Sequence, residues 1–385
     1  MAVSFPAALI RYQRLERNWS QEGLCDGICA VSYLSKIEQG KAEPNAEILH
    51  ALMQRLELKW HEESAQEAAE LVEELWEATR SLDWAEETRL RERLADGRER
   101  YLNGPYMLDV LLLERVRWNA VPQMDPNDLL PAFENCFDSR QRAWYLLAQD
   151  RCEEAFILMP NAFVSLCCGN LAYHAGNYTL AMERLLQSCT LAAEEGRARV
   201  LMLARALLGN CYSDQNDYSA MRRHYQTAAR LARDLGDENL LDTIRYNTAA
   251  TQMQMGHYEE AYRYFSAIKD PYAMALHKKA VCEEKLCRPQ EALQTLALVE
   301  KVQNLHGDSA DFPDRGWIDR FCQLVRYRLE HPDYLRDQTY GDLLISAYRD
   351  MQQELPHGFA LFHQPWVEEW YVATRQYKQA YELKK

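Results

Sequence analysis

Few residues in this sequence are spaced for catalysis. His61 and Glu62 open a metal-hydrolase pattern, but HExxH needs a second histidine one turn on, and Ala65 stands there. Asp308, Asp311 and Asp314 recur at intervals of three, whereas a calcium loop places its oxygen donors on alternate residues. An acidic surface loop is the simpler expectation. Neither a glycine-rich phosphate loop nor a nucleophile elbow is present. The eleven cysteines are odd in number, scattered, and form no CxxC pair. They are expected to serve as small apolar core residues in a reducing cytoplasm, without a metal site or any other cofactor. The chain is therefore expected not to be an enzyme.

Recognition chemistry is better represented. Residues 28–41, ICAVSYLSKIEQGK, have the make-up of a helix that lies on DNA. The whole chain carries a formal net charge of -14, which argues against non-specific coating of a polyanion. Any DNA contact must come from a local patch. Within residues 1–60 the charges balance: Arg11, Arg14, Arg17, Lys36, Lys41, Arg55 and Lys59 stand against seven carboxylates. The excess acid lies downstream, so a single copy of this segment should hold DNA weakly.

The elements that must position these residues are all helical. Strand-like alternation and hairpin turns are nearly absent, and 385 residues allow two or more domains. No apolar run is long enough to span a membrane, and the N-terminus lacks a basic signal region, so a cytoplasmic protein is expected. Leu9, Tyr12 and Leu15 mark a first helix. Ser20 is placed to cap a second, and Gly40 and Pro44 to end a third before AEILHALMQRLEL. Residues 61–100 are charge-dense and amphipathic, with Ala68, Leu71, Val72, Leu75 and Trp76 on one face. They predict a helical junction rather than a flexible linker.

Beyond it the chain repeats. Tyr178, Tyr218 and Tyr258 are spaced forty apart, as are Gly169 and Gly209, and Ala181, Met221 and Ala261. A small residue lets a second helix approach the first, the tyrosine opens that second helix, and the alanine sits at closest contact. One such pair cannot bury its own apolar faces, so pairs must stack. Weaker copies place Ala292 after Pro289, and Ala380 after Tyr377. SLDWAEETRL and NDLLPAFENCF are candidate degenerate second helices.

These units resemble tetratricopeptide repeats in a lengthened form. The N-terminal stretch WSQEGLCDGICAVSYLSKIEQGKAEPN resembles the XRE/Cro-like helix-turn-helix, through Ser20, Gln21 and Glu22 and through Ser32, Leu34, Ser35, Lys36, Ile37, Glu38 and Gly40. Leu24, Ile28, Leu34 and Ile37 would form its core. Gly23 and Gly27 depart from the pattern at about 1 kcal/mol each relative to alanine, and Cys29 stands near where the turn often has glycine. The resemblance implies an all-α chain: a helix-turn-helix DNA-binding domain over 1–60, then a right-handed tetratricopeptide-repeat superhelix for peptide binding and dimerisation over 61–385. It implies that Val31, Ser32, Tyr33 and Lys36 face the major groove, with Gln21, Gln39 and Lys41 on phosphates.

Repeat grooves of this kind commonly bind extended peptides. Asn170 and Asn210 follow the repeat glycines directly, and Asn247 lies one turn earlier in the next unit. An asparagine amide both donates and accepts, so it can clamp a peptide backbone or brace the next repeat. Tyr246, His174, Gln254, Arg205, His277 and Lys278 are candidate neighbours, Arg205 or Lys278 for a terminal carboxylate. The combination of head and repeats resembles the RRNPP group of peptide-responsive regulators. That resemblance implies a double-stranded DNA operator, a short signalling peptide and a homodimer, with Trp366, Trp370 and Tyr371 as a candidate apolar interface. The competing readings are a repeat-domain phosphatase or sequestering partner of a response regulator, and a protein–protein scaffold.

Overall fold

The computed structural model describes residues 4–118, 128–306 and 314–383; Asp308 and Asp311 lie outside them. Every regular element among the described residues is a helix. The head holds α1 (Phe5–Glu16), α2 (Gln21–Cys25), α3 (Val31–Glu38) and α4 (Ala46–Arg55). There follow α5 (Ala65–Ser81), α6 (Trp84–Leu102), α7 (Met107–Leu113), α8 (Ser139–Leu147) and α9 (Cys152–Leu158). The repeat units supply α10 (Ala162–His174), α11 (Tyr178–Glu194), α12 (Ala198–Asp214), α13 (Tyr218–Leu235), α14 (Glu238–Gln254) and α15 (Tyr258–Ser266). The chain continues as α16 (Ala273–Lys285), α17 (Pro289–His306), α18 (Arg315–Glu330), α19 (Gln338–Glu354), α20 (His357–Ala373) and α21 (Tyr377–Glu382). Contacts divide the chain into two compact units, 1–171 with 181–204, and 172–180 with 205–385.

The repeat signals act as the spacing implies. Tyr178, Tyr218 and Tyr258 each open a second helix, as do Pro289 and Tyr377 in the weaker copies. Ala181, Met221, Ala261, Ala292 and Ala380 are all buried. A Cβ added to Gly169 would stand 2.7 Å from Leu185 Cγ, and one added to Gly209 would strike the Tyr225 ring. Glycine is needed at both because the paired helix has no room to give.

A second periodicity supports the first. Gly176, Gly196, Asn216, Gly236 and Gly256 fall every twenty residues, and all have φ between +62° and +79°. Each ends a helix in the left-handed conformation, which glycine adopts freely and asparagine tolerates. Asp217 and Asp237 then cap the helices that follow, accepting from the amides of Ala220 and Leu240.

Of the two expectations upstream, one needs correction. SLDWAEETRL does begin a second helix, α6, capped by Asp83. NDLLPAFENCF does not: residues 130–136 form a 3-10 helix. Pro131 occupies its first turn, where the missing N–H costs nothing, and no i→i+4 ladder develops behind it. This short element anchors the head within the first unit. Phe133 packs its ring 5.4 Å from Phe5 and 5.4 Å from Tyr12, both on α1.

Candidate DNA-reading head and repeat cavity

The head core forms from Ile10, Leu24, Leu34, Ile37, Leu52 and Leu56, all fully buried. Two positions differ from expectation. Ile28 is only half-buried, and its neighbour Cys25 fills the core instead. Leu15 is exposed, because the inner face of α1 is taken by Ile10 and by the buried guanidinium of Arg14. Gly27 also plays a different part. It lies outside α2 at φ +69°, where a side chain would be strained, so it is the glycine of the turn and carries no helix penalty.

Arg14 fixes the second helix of the motif. Its Nε donates to Glu38 Oε1 at 2.7 Å and its Nη2 to Glu38 Oε2 at 2.9 Å. Its Nη1 donates to the Trp19 carbonyl at 2.7 Å, beside the start of α2. The hydrogen bond with Glu38 holds the arginine pKa above its ordinary value, against desolvation. Ser20 caps α2, accepting from the Gly23 amide. Arg55 reaches back from α4 to the Leu24 and Asp26 carbonyls.

This scaffold turns one side of α3 outward. Leu34, Ile37 and Glu38 face the core, while Val31, Ser32, Lys36 and Gln39 are exposed. Lys41 is exposed just beyond, its Nζ donating to Gln39 Oε1 at 2.8 Å. Tyr33 lies at the edge of this face, its hydroxyl donating to the Glu43 carbonyl at 2.9 Å. Gln21 is half-buried, and its Nε2 donates to Glu38 Oε2 at 2.7 Å. One of its two amide hydrogens is thus engaged by the arginine–glutamate clamp.

The nine candidate peptide contacts fall in both units. Asn170 belongs to the first contact unit and the other eight to the second. Within the second unit, Asn210 Oδ1 accepts from Tyr225 Oη at 2.6 Å and from Asn247 Nδ2 at 3.1 Å. These two asparagines brace α12, α13 and α14. Arg205 is half-buried, its Nη1 3.4 Å from His224 Nδ1. Tyr246 packs on Phe265 and Tyr272. His277 and Lys278 are buried; the lysine amine lies against the face of Phe362, and desolvation holds both pKa values well below their ordinary range. His174 is exposed at the end of α10.

Gln254 alone of the nine lines a cavity of about 380 Å³ in the second unit. The cavity wall is formed by Tyr258, Phe362 and Trp366, with Lys285, Glu369 and Asp214 at its polar positions. The sequence marked Tyr258 as a repeat position and Trp366 as a candidate interface residue, but it did not bring these residues together, because α20 contributes residues more than a hundred positions from the central repeats. The one available signal was the aromatic cluster FALFHQPW at 359–366. Asp214 accepts from Tyr178 Oη at 3.0 Å, and burial raises its pKa to about 6.

Head and helix pairs together define a class of fold: a helix-turn-helix head followed by tetratricopeptide-like helix pairs. The comparisons agree. The helix-turn-helix family HTH_3 matches residues 10–62. The transcriptional activator NprA of Geobacillus stearothermophilus is 25% identical, over 71% of this chain and 78% of that one. Among solved structures, a Rap protein complexed with competence and sporulation factor has a TM-score of 0.58 at 12% identity, covering 83% of this chain and 96% of that chain. That likeness shows the fold. PlcR of Bacillus thuringiensis, complexed with the peptide PapR7 and DNA, matches at a TM-score of 0.30 and 13% identity, covering 78% and 94%; at that score it adds nothing to the argument. The chain thus joins an HTH_3 head to a repeat fold like that of the Rap protein. Among the described residues no helix is long and apolar enough to cross a membrane.

Proposed function

We propose that the chain is a cytoplasmic regulator that reads an operator with α3 and responds to a short peptide held in the second unit. The observation that carries the DNA reading is the outward face of α3: Val31, Ser32 and Lys36 stand free of the core while Glu38, on the opposite side, is locked to Arg14. A helix so presented enters the major groove with its first residues on base edges. Lys36 supplies a donor for guanine acceptors or a phosphate, and Val31 an apolar contact for a thymine methyl. Lys41 and Gln39 extend the same face toward the backbone.

For the peptide, the cavity beside Gln254 is the better site within the second unit. It joins three aromatic walls to separate cationic and anionic positions, which suits an apolar side chain flanked by backbone polar groups. Asn210 and Asn247 stiffen the helices around it. A homodimer completes the reading, since a neutral head needs a second half-site at fixed spacing. Trp366 and Trp370 are buried and unavailable for that contact, whereas Val372, Tyr377 and Tyr381 are exposed at the C-terminal end.

A mobility-shift series on DNA upstream of the chain's own gene tests the reading. Binding should be sequence-specific, fall with salt, and disappear in Tyr33→Ala plus Lys36→Ala. Retention of full binding by that double variant would remove α3 as the reading element. Trp366→Ala should leave basal DNA binding intact and abolish the response to the peptide.

A further inference from the structure

The second unit carries another recess, independent of the cavity beside Gln254. It lies along α13, α14 and α15 and measures about 910 Å³. Its rim includes Arg222, Arg230 and Arg233, which follow one another at intervals of eight and three on α13 and therefore share one helical face. Gln226 fills the intervening turn. Arg245 lines the recess from α14. In a chain of net charge -14, these four guanidiniums are accompanied in the lining by one carboxylate, Glu260. Arg245 is paired with Asp242 at 2.8 Å, while no ion pair is formed by Arg222, Arg230 or Arg233 among the described residues.

The floor is apolar. Met221, Ala229, Leu241, Ile244 and Ala249 are all buried beneath the rim. The recess exists because α15 is short. It has 9 residues, against 17 in α11 and 18 each in α13 and α17. Asp270 and Pro271 follow it, and the residue preceding a proline is biased away from helical angles. The C-terminal half of α13 therefore lacks the full-length second helix that would otherwise lie beside it.

We infer that this recess is a docking site for a short acidic segment of a partner protein, whose carboxylates pair with the α13 arginines while its apolar side chains meet the floor. Arginine is suited to this because its fork binds carboxylates in two-point fashion. The stripe from Arg222 to Arg233 spans about 16 Å at 1.5 Å per residue, the reach of about five extended residues. Nucleic acid is the less suitable occupant, because a phosphate backbone gains nothing from an apolar floor. The site lies outside both the head and the peptide cavity, so it stands or falls separately from the proposed function.

The test uses the full chain and three fluorescent probes: an acidic octapeptide of glutamate and leucine, its lysine-and-leucine counterpart, and random-sequence duplex DNA. Anisotropy should show saturable binding of the acidic peptide that weakens with salt, with none for the basic one. Arg230→Glu plus Arg233→Glu should weaken it roughly tenfold or more while leaving operator binding unchanged. Arg222→Glu, on the same stripe, should act in the same direction, and keeps the test valid if the double variant fails to fold. Equal affinity in the folded variants, or no saturable binding to the wild-type chain, overturns the proposal. So does duplex DNA binding that the same variants abolish and the acidic peptide cannot displace.

Discussion

Arg14 and Glu38 form a two-point ion pair inside the head, with contacts of 2.7 and 2.9 Å, and both side chains are almost wholly buried. The pair joins α1 to the end of α3, and through Gln21 and the Trp19 carbonyl it also reaches the start of α2. It therefore sets the angle at which α3 is presented. Removing one partner strands a buried charge. Glu38→Ala should destabilise the head by about 3–5 kcal/mol. Amide hydrogen exchange, followed on peptides from residues 5–56 of the full chain, would read this as faster opening confined to the head. Replacing both partners by leucine should recover much of the loss. Equal protection in Glu38→Ala and wild type would show that the pair contributes nothing.

Lys36 is exposed on α3 and makes no ion pair among the described residues, so its contribution should be confined to DNA. Lys36→Ala should leave thermal stability unchanged. If the contact is to a phosphate, the slope of log affinity against log salt should fall by about one and all sequences should weaken alike. If it is to guanine, specificity at one base pair should relax at a cost of about 1–3 kcal/mol. Binding titrations at several salt concentrations separate the two.

Asp214 gives the second unit a pH dependence of definite sign. Burial raises its carboxyl pKa to about 6, although the Tyr178 hydroxyl donates to it and pulls the other way. The native state then holds a proton that the unfolded chain, near 3.9, releases earlier. Stability contributed by this group is greatest below pH 4, falls as pH rises toward 6, and is constant above. Asp214→Asn should therefore raise stability by about 1–3 kcal/mol at pH 7 and change little at pH 4. Urea titrations of both proteins at the two pH values check this; a gain of the same size at pH 4 would contradict it.

Gly209 should tolerate no side chain. A Cβ there meets the ring of Tyr225, whose hydroxyl is tied to Asn210, so the ring cannot simply swing aside. Gly209→Ala should cost about 1–3 kcal/mol through forced repacking, despite the better helix propensity of alanine. Gly27→Ala should also destabilise, for a different reason: nothing lies within 4 Å, but φ is +69°. Chemical denaturation of the two variants, with Gly27 reporting on the head, tests both.

Much of this molecule was legible in one dimension because local rules govern it. Tyrosines forty apart mark where second helices begin, since a helix start is decided by the few residues around it. Ser20 could be named as a cap and Leu34 and Ile37 as core for the same reason. The left-handed turn residues at 176, 196, 216, 236 and 256 were equally local, yet Asn216 broke the run of glycines and hid the twenty-residue period.

What the sequence could not decide was which distant side chains meet. Arg14 and Glu38 are 24 residues apart, and nothing in their types distinguishes a buried pair from two surface charges. Asn210 and Asn247, 37 apart, have the chemistry of a peptide clamp, but packing brings them to each other. His277 and Lys278 read as polar groove residues, and burial places them under Phe321 and Phe362. The sequence determined the all-α class, the head motif and the repeat register, because caps, turns and apolar periodicity act over one or two helical turns. Tertiary structure alone decided which polar groups are spent inside the fold and which remain to meet a ligand, because that depends on contacts between residues far apart in the chain.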